Sequence, residues 1–104
     1  MIKHLVLWRL KDSANGKTKA ENARLLKDRL EALNGRIPGL RRIEVGINVH
    51  DSHSGADDAD VVLYSEFESQ AALDAYGTHP EHVRVKNEVA DLRIARHQVD
   101  YAAP

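Results

Sequence analysis

The sequence predicts an α+β domain of the ferredoxin-like type, with strands and helices in the order β-α-β-β-α-β. Four segments are rich in β-forming residues, and the stretches between them include two with the apolar spacing of amphipathic helices. A length of 104 residues leaves room for a single domain over residues 1–104. The composition, 42% hydrophobic and 30% charged, is typical of a globular protein.

The first predicted strand, Ile2 to Leu10, is apolar on both of its faces. Alternate residues point to opposite faces of a sheet. One set comprises Ile2, His4, Val6, Trp8 and Leu10, and the other comprises Lys3, Leu5, Leu7 and Arg9. A strand of this kind needs cover on both sides, and this is the first indication of a second copy of the chain.

A helix and two further strands follow. A turn over residues 12–16 precedes a helix predicted for residues 17–33, whose apolar stripe is Ala23, Leu26, Leu30 and Leu33. The helix ends at Asn34-Gly35. The second strand, residues 40–49, alternates Ile43, Val45, Ile47 and Val49 on one face, and the third, residues 60–67, is again apolar on both faces.

The second helical region is predicted in two pieces. Ser69 is suited to cap a helix over residues 70–76, and Gly77 should break that helix. The run Thr78-His-Pro-Glu81 then predicts a fresh start with a Ser/Thr-x-x-Glu capping box. An apolar stripe of Val85, Val89 and Leu92 follows, and residues 96–101 form the last strand.

Charge and cysteine content restrict the partners. The formal net charge is −1, which gives no basic field for nucleic acid or an anionic membrane surface. The chain contains no cysteine, so neither a disulfide nor a thiolate metal site is expected. The sequence shows no signal-peptide pattern and no run of membrane-spanning length, so a cytoplasmic location is expected.

Four antiparallel strands with both helices on one face leave the other sheet face open. That face also carries large apolar side chains, which favours burial against an equivalent face. Two such sheets closing on each other would form an eight-stranded α+β barrel with a cavity between the chains. The sequence therefore predicts a homodimer.

Histidines and one tyrosine are the candidate functional residues. His4, Val6 and Trp8 share one face of the first strand. If that face points into the barrel, His4 projects into the cavity, where its imidazole can serve as a base or as a hydrogen-bond donor. The alternative is a buried histidine that holds the strand register. Tyr76, His79 and His82 are three residues apart and can share one helix face.

Two structural alternatives apply to the other histidines. His79 can simply cap the restarted helix. His50-x-x-His53, with acidic residues nearby, has the residue types of a metal site, but a solvated loop is the favoured interpretation. No metal and no cofactor are therefore expected.

Several segments resemble the stress-responsive A/B-barrel (Dabb) family. The opening strand, residues 2–10, is similar to the family's first strand, and residues 37–48 and 60–67 are similar to its second and third. The most specific piece is Leu73-Asp-Ala-Tyr-Gly-Thr-His-Pro-Glu-His-Val83, and Val99-Asp-Tyr101 closes the pattern.

The resemblance implies a dimeric barrel and leaves two functions open. One is a non-catalytic, stress-related homodimer that binds a small apolar or aromatic ligand in the barrel. The other is an enzyme like the family's plant polyketide cyclase, or an isomerase, in which Tyr76 and His82, with His4, supply acid–base chemistry. A monooxygenase of the related ferredoxin-like group is a third, less favoured hypothesis.

Overall fold

The computed structural model describes residues 1–50 and 58–104. Four long strands form one antiparallel sheet in the order β4-β5-β1-β6, and a separate short hairpin pairs β2 with β3. The predicted ferredoxin-like α+β fold is confirmed. The elements in chain order are β1 (Ile2–Leu10), β2 (Ser13–Ala14), β3 (Lys17–Thr18), α1 (Lys19–Glu31), β4 (Leu40–Ile47), β5 (Val61–Phe67), α2 (Gln70–Thr78), α3 (Pro80–Val89), a 3₁₀ turn (Ala90–Leu92) and β6 (Arg93–Ala102).

The two faces of the sheet differ in what covers them. On the face under the helices, the even-numbered residues of β1 from His4 onward are buried, as are the odd-numbered residues of β5. We call this the helix face. The alternate residues point to the other face and are only partly buried; we call this the open face, and its apolar members are Leu5, Leu7, Val62, Tyr64, Val99 and Tyr101.

The helices bury the stripes that the sequence predicts. Ala23, Leu26 and Leu30 of α1 pack into the core, with Leu33 just beyond the helix. From the second helical region, Val85 and Leu92 are buried, and Val89 packs against the core. Each helix therefore covers the sheet with one apolar side, leaving its charged side to solvent.

The segment before α1 contains a short hairpin of β2 and β3, where the sequence predicts only a turn. Asn15 and Gly16 both have positive φ, 54° and 75°, as the tight turn between two short strands requires. Thr18 rather than the preceding turn caps α1, through a reciprocal capping box with Glu21. The predicted start of the helix at Lys17 is therefore two residues too early.

The junction between α2 and α3 also differs from the prediction. Helix α2 continues through Gly77 to Thr78, and the Thr78 hydroxyl donates to the Ala75 carbonyl instead of capping the next helix. His79 is the cap, because its Nδ1 accepts the Glu81 N–H at 3.1 Å. Pro80 disfavours helical backbone at the residue before it, and His79 is accordingly extended.

The ends of two strands differ from those that the sequence predicts. Val49, expected within the second strand, lies beyond β4 and is 93% exposed. Strand β6 begins at Arg93 and ends at Ala102, so it is longer than expected, because it pairs along the whole of β1. None of the helices in the described part of the chain is long and apolar enough to cross a membrane.

Candidate functional site

A cavity of about 550 Å³ lies within one chain, between the helix face of the sheet and helices α2 and α3. Its size falls in the range of small-molecule sites. The apolar part of its wall includes Val6, Trp8, Leu63, Leu73 and Val85. The cavity extends to β6, whose residues remain almost entirely exposed because the helices do not cover this edge strand.

His4 contributes to this cavity from the middle of β1. The residue is 6% exposed, and its Nδ1 lies 2.5 Å from the Oδ1 of Asp100 on the neighbouring strand β6. The strand register places these two residues directly opposite each other. Because a carboxylate only accepts, Nδ1 carries the proton in this contact.

Tyr76 and His82 come from the two consecutive helices and stack on each other. Their ring centroids are 3.9 Å apart, with an angle of 29° between the ring planes. The ring of Tyr76 is 6.1 Å from that of His4 and 5.0 Å from that of Phe67. Since Phe67 is fully buried in the sheet, it fixes the place of this aromatic group.

Burial shifts the pKa values of Tyr76 and His82 in opposite directions. Desolvation raises the pKa of the Tyr76 hydroxyl, so this group stays protonated at neutral pH. Desolvation lowers the pKa of His82, while the carbonyls of Gly77 and Tyr76 act in the opposite direction. His82 is therefore a neutral imidazole, and its buried Nδ1 has no hydrogen-bond partner in the described part of the chain.

A row of polar side chains continues from His4 along the edge of the cavity. Asp100 also accepts a hydrogen bond from Gln98 at 3.0 Å, and Gln98 accepts one from the Arg96 guanidinium at 2.8 Å. These three residues alternate along β6 and line the same cavity. The wall therefore changes from apolar in the interior to charged at β6.

Sequence comparison now places the chain. Residues 2–103 match the model of the stress responsive A/B barrel domain. The chain belongs to this family. No curated protein matches it in sequence.

Solved structures with the same fold extend this assignment. A dimeric protein of unknown function from Bacteroides fragilis, with a ferredoxin-like fold, is 35% identical, with a TM-score of 0.80 over 96% of this chain and 93% of that one. A dimeric ferredoxin-like protein from Thermobifida fusca is 22% identical, with a TM-score of 0.79 over 98% and 90%. The hydroxynitrile lyase of Passiflora edulis is 16% identical, with a TM-score of 0.77 over 96% and 90%. The last two similarities are of fold alone.

In this member of the A/B-barrel family, five of the six candidate residues line one cavity: His4, Val6, Trp8, Tyr76 and His82. Their location differs from the expected one. The side of β1 that carries His4 is part of the helix face, so it points to the chain's own helices and not into a barrel between two chains. The reason is that this parity is continuous with the buried residues of β5 and β4, which form the broadest apolar surface for the helices to cover.

His79 and His50 do not line the cavity. His79 is half-buried at the helix junction, and its Nδ1 is occupied as the α3 cap. His50 is exposed, and His53 lies outside the described residues. Within residues 1–50 and 58–104 there is no group of three or more His, Asp or Glu side chains that could hold a metal ion.

Sequence reasoning missed the polar residues of β6. Asp100 is 96 residues from His4 in the chain, and the contact depends on the pairing of the first and last strands. One signal was available: Arg96, Gln98 and Asp100 alternate with Val99 and Tyr101, which indicates a strand with one polar and one apolar face.

Proposed function

We propose that the protein is a homodimer that binds a small molecule with an apolar or aromatic body in the cavity of each chain. We further propose that it removes and returns a proton at the carbon next to a carbonyl group of this ligand. The observation that carries the proposal is the meeting of His4, Tyr76 and His82 at one cavity of about 550 Å³. A buried neutral imidazole beside a protonated hydroxyl is the combination that enolisation requires.

The homodimer is supported by the open face of the sheet. Leu5, Val99 and Tyr64 occupy neighbouring positions across three strands of that face, and Val99 and Tyr101 are 51% and 45% exposed. Monomeric proteins seldom leave such a patch uncovered. The protein from Bacteroides fragilis, 35% identical, is dimeric.

The chemical roles follow from the protonation states. His82, a neutral imidazole that lines the cavity, is the base that removes a proton from the carbon next to the carbonyl. The electrons of that C–H bond form the enolate, and the Tyr76 hydroxyl donates to its oxygen. His4, fixed by Asp100, offers a second imidazole nitrogen at the same cavity. Return of the proton to carbon completes the exchange without any cofactor.

The hydroxynitrile lyase of Passiflora edulis has the same fold, so this scaffold is compatible with catalysis in another protein. The reaction itself depends on the residues of each site. Binding without chemistry is the second candidate, since the cavity wall is largely apolar and a ligand could be held by packing alone.

Deuterium exchange at the methyl group of acetophenone tests the proposal. In D₂O the protein should accelerate loss of the methyl proton signal, and His82→Gln and Tyr76→Phe should each slow the reaction by about 100-fold. His50→Ala, which removes an exposed histidine remote from the cavity, should have no effect. Binding of acetophenone without accelerated exchange would leave the binding function and exclude this chemistry. An absence of both would contradict the proposal.

A further inference from the structure

Three cationic side chains line the cavity of the proposed site where it meets β6 and the end of α3: Lys86, Arg93 and Arg96. None of them forms a salt bridge with a carboxylate in the described part of the chain. The side chains of Arg29, Arg84 and Lys27, elsewhere on the helices, are all paired with glutamates. The positive charges at the cavity are therefore not consumed by the protein's own acids.

The acidic side chains that line the same cavity already have partners. Asp100 contacts His4 and accepts from Gln98, and Asp74 accepts from Gln70 at 3.0 Å. Asp100 is close enough to favour the charged form of Arg96, so it offsets part of the positive field. Three cations against two engaged carboxylates nevertheless leave an excess of positive charge.

Arg96 has the best position of the three. Among residues 1–50 and 58–104, its guanidinium donates one hydrogen bond, to the neutral Gln98 side chain, although an arginine carries five N–H groups. Burial and the neighbouring charge of Arg93 both lower the pKa of Arg96, and the carboxylate of Asp100 offsets this only in part. Arg96 and Tyr76 line the same cavity.

We infer that the ligand of this cavity is an organic anion, with its apolar or aromatic body against Trp8 and Leu63 and a carboxylate bound by Arg96. This inference rests on the proposed binding function and names the class of ligand. A planar guanidinium pairs with a carboxylate through two parallel hydrogen bonds, which gives orientation as well as affinity. Lys86 and Arg93 add a field that attracts an anion to the cavity.

A matched pair of probes tests the inference: 4-propylbenzoate and its uncharged analogue 4-propylbenzamide. Trp8 is the single tryptophan of the chain and lines the cavity, so its fluorescence reports binding directly. The wild-type protein should bind the benzoate about tenfold more tightly than the benzamide. This preference should fall at high salt, since an ion pair near the surface is screened.

Variants assign the preference to one residue. Arg96→Gln should bring the two affinities to within about twofold, with little change for the benzamide, and Arg96→Lys should retain part of the preference. Arg24→Gln, which removes a cation from the exposed side of α1, should keep the full preference. Circular dichroism should confirm that each variant is folded, as expected for a change on an exposed edge strand.

Two results would overturn the inference. One is equal binding of the two probes by the wild-type protein, which leaves the proposed binding function intact. The other is binding of neither probe, which excludes this ligand class; acetophenone exchange then decides the proposed function independently. A preference that survives Arg96→Gln would assign the anion to a different part of the cavity and contradict the role of Arg96.

Discussion

The helix face and the open face of the sheet are built from the same strands and differ in what completes them. On the helix face, residues such as Leu63 and Phe67 are covered by the chain's own helices, and the cover is incomplete over β6, where the cavity lies. On the open face, Val99 and Tyr101 are left half-exposed. One face therefore lines the candidate site, and the other carries the surface of the proposed dimer.

The largest expected effect is on the free energy of unfolding, which should respond differently to substitutions on the two faces. Leu63→Ala, on the helix face, should lower the free energy of unfolding by about 2–5 kcal/mol at any protein concentration, because it creates a cavity in the core. Leu7→Ala is the matched change on the open face. Its cost should grow with protein concentration, because dimerisation stabilises the fold by mass action. Urea denaturation at two protein concentrations makes the comparison; an equal, concentration-independent loss would contradict it.

Assembly should depend on the open face alone. Val99→Glu places a charge beside Leu5 in the apolar patch and should raise the dimer dissociation constant by about 100-fold. Val49→Glu is the control, because Val49 is 93% exposed and lies outside the sheet. Sedimentation velocity measures both. A Val99→Glu protein that remains dimeric would place the interface elsewhere.

The site on the helix face should respond to a change in β6. Asp100→Asn keeps the shape of the side chain but replaces the carboxylate that holds the Nδ1 proton of His4. We expect exchange at acetophenone to slow by about tenfold, with little loss of binding, because proton transfer rather than packing is affected. Nitrogen NMR should show a mixture of His4 tautomers. Retention of one tautomer and the full rate would assign Asp100 no role in positioning.

The smallest effect concerns pH and reports the burial of His82. Because burial lowers the pKa of His82 in the folded state, the unfolded chain binds the proton more readily. The contribution of His82 is therefore fully present above its unfolded pKa of about 6.5, and it is lost as the pH falls through the lower folded pKa. His82→Gln should reduce the slope of stability against pH in this acidic window. An unchanged slope, measured by denaturation, would show that His82 is solvated.

The sequence allowed much of the fold to be predicted, because burial periodicity is local. The alternation in β1 indicated two apolar faces, and Ala23, Leu26 and Leu30 marked the inner side of α1. The end of α2 was mispredicted, since the effect of Pro80 falls on His79 and not on Gly77. Local patterns thus predict elements well and their exact ends less well.

The sequence singled out five residues that line the cavity, but it did not show where the cavity lies. Both faces of β1 are apolar, so the periodicity of its sequence does not show which face the helices cover. His4, Tyr76 and His82 were identified from residue type and spacing, whereas Asp100 and Arg96 depend on a strand pairing between the two ends of the chain. The alternation within β6 indicates its polar face, but no local pattern shows which residue of β1 lies opposite Asp100.

One titration tests the central claim, that the ligand binds between the sheet and the helices of a single chain. Methyl groups of Val6, Leu63 and Val85 report on the helix face, and those of Leu7 and Val99 report on the open face. On addition of 4-propylbenzamide, a neutral probe whose binding does not depend on Arg96, methyl NMR should show shifts confined to the first group. Shifts confined to Leu7 and Val99 would place the ligand between the two sheets of the dimer and contradict this account.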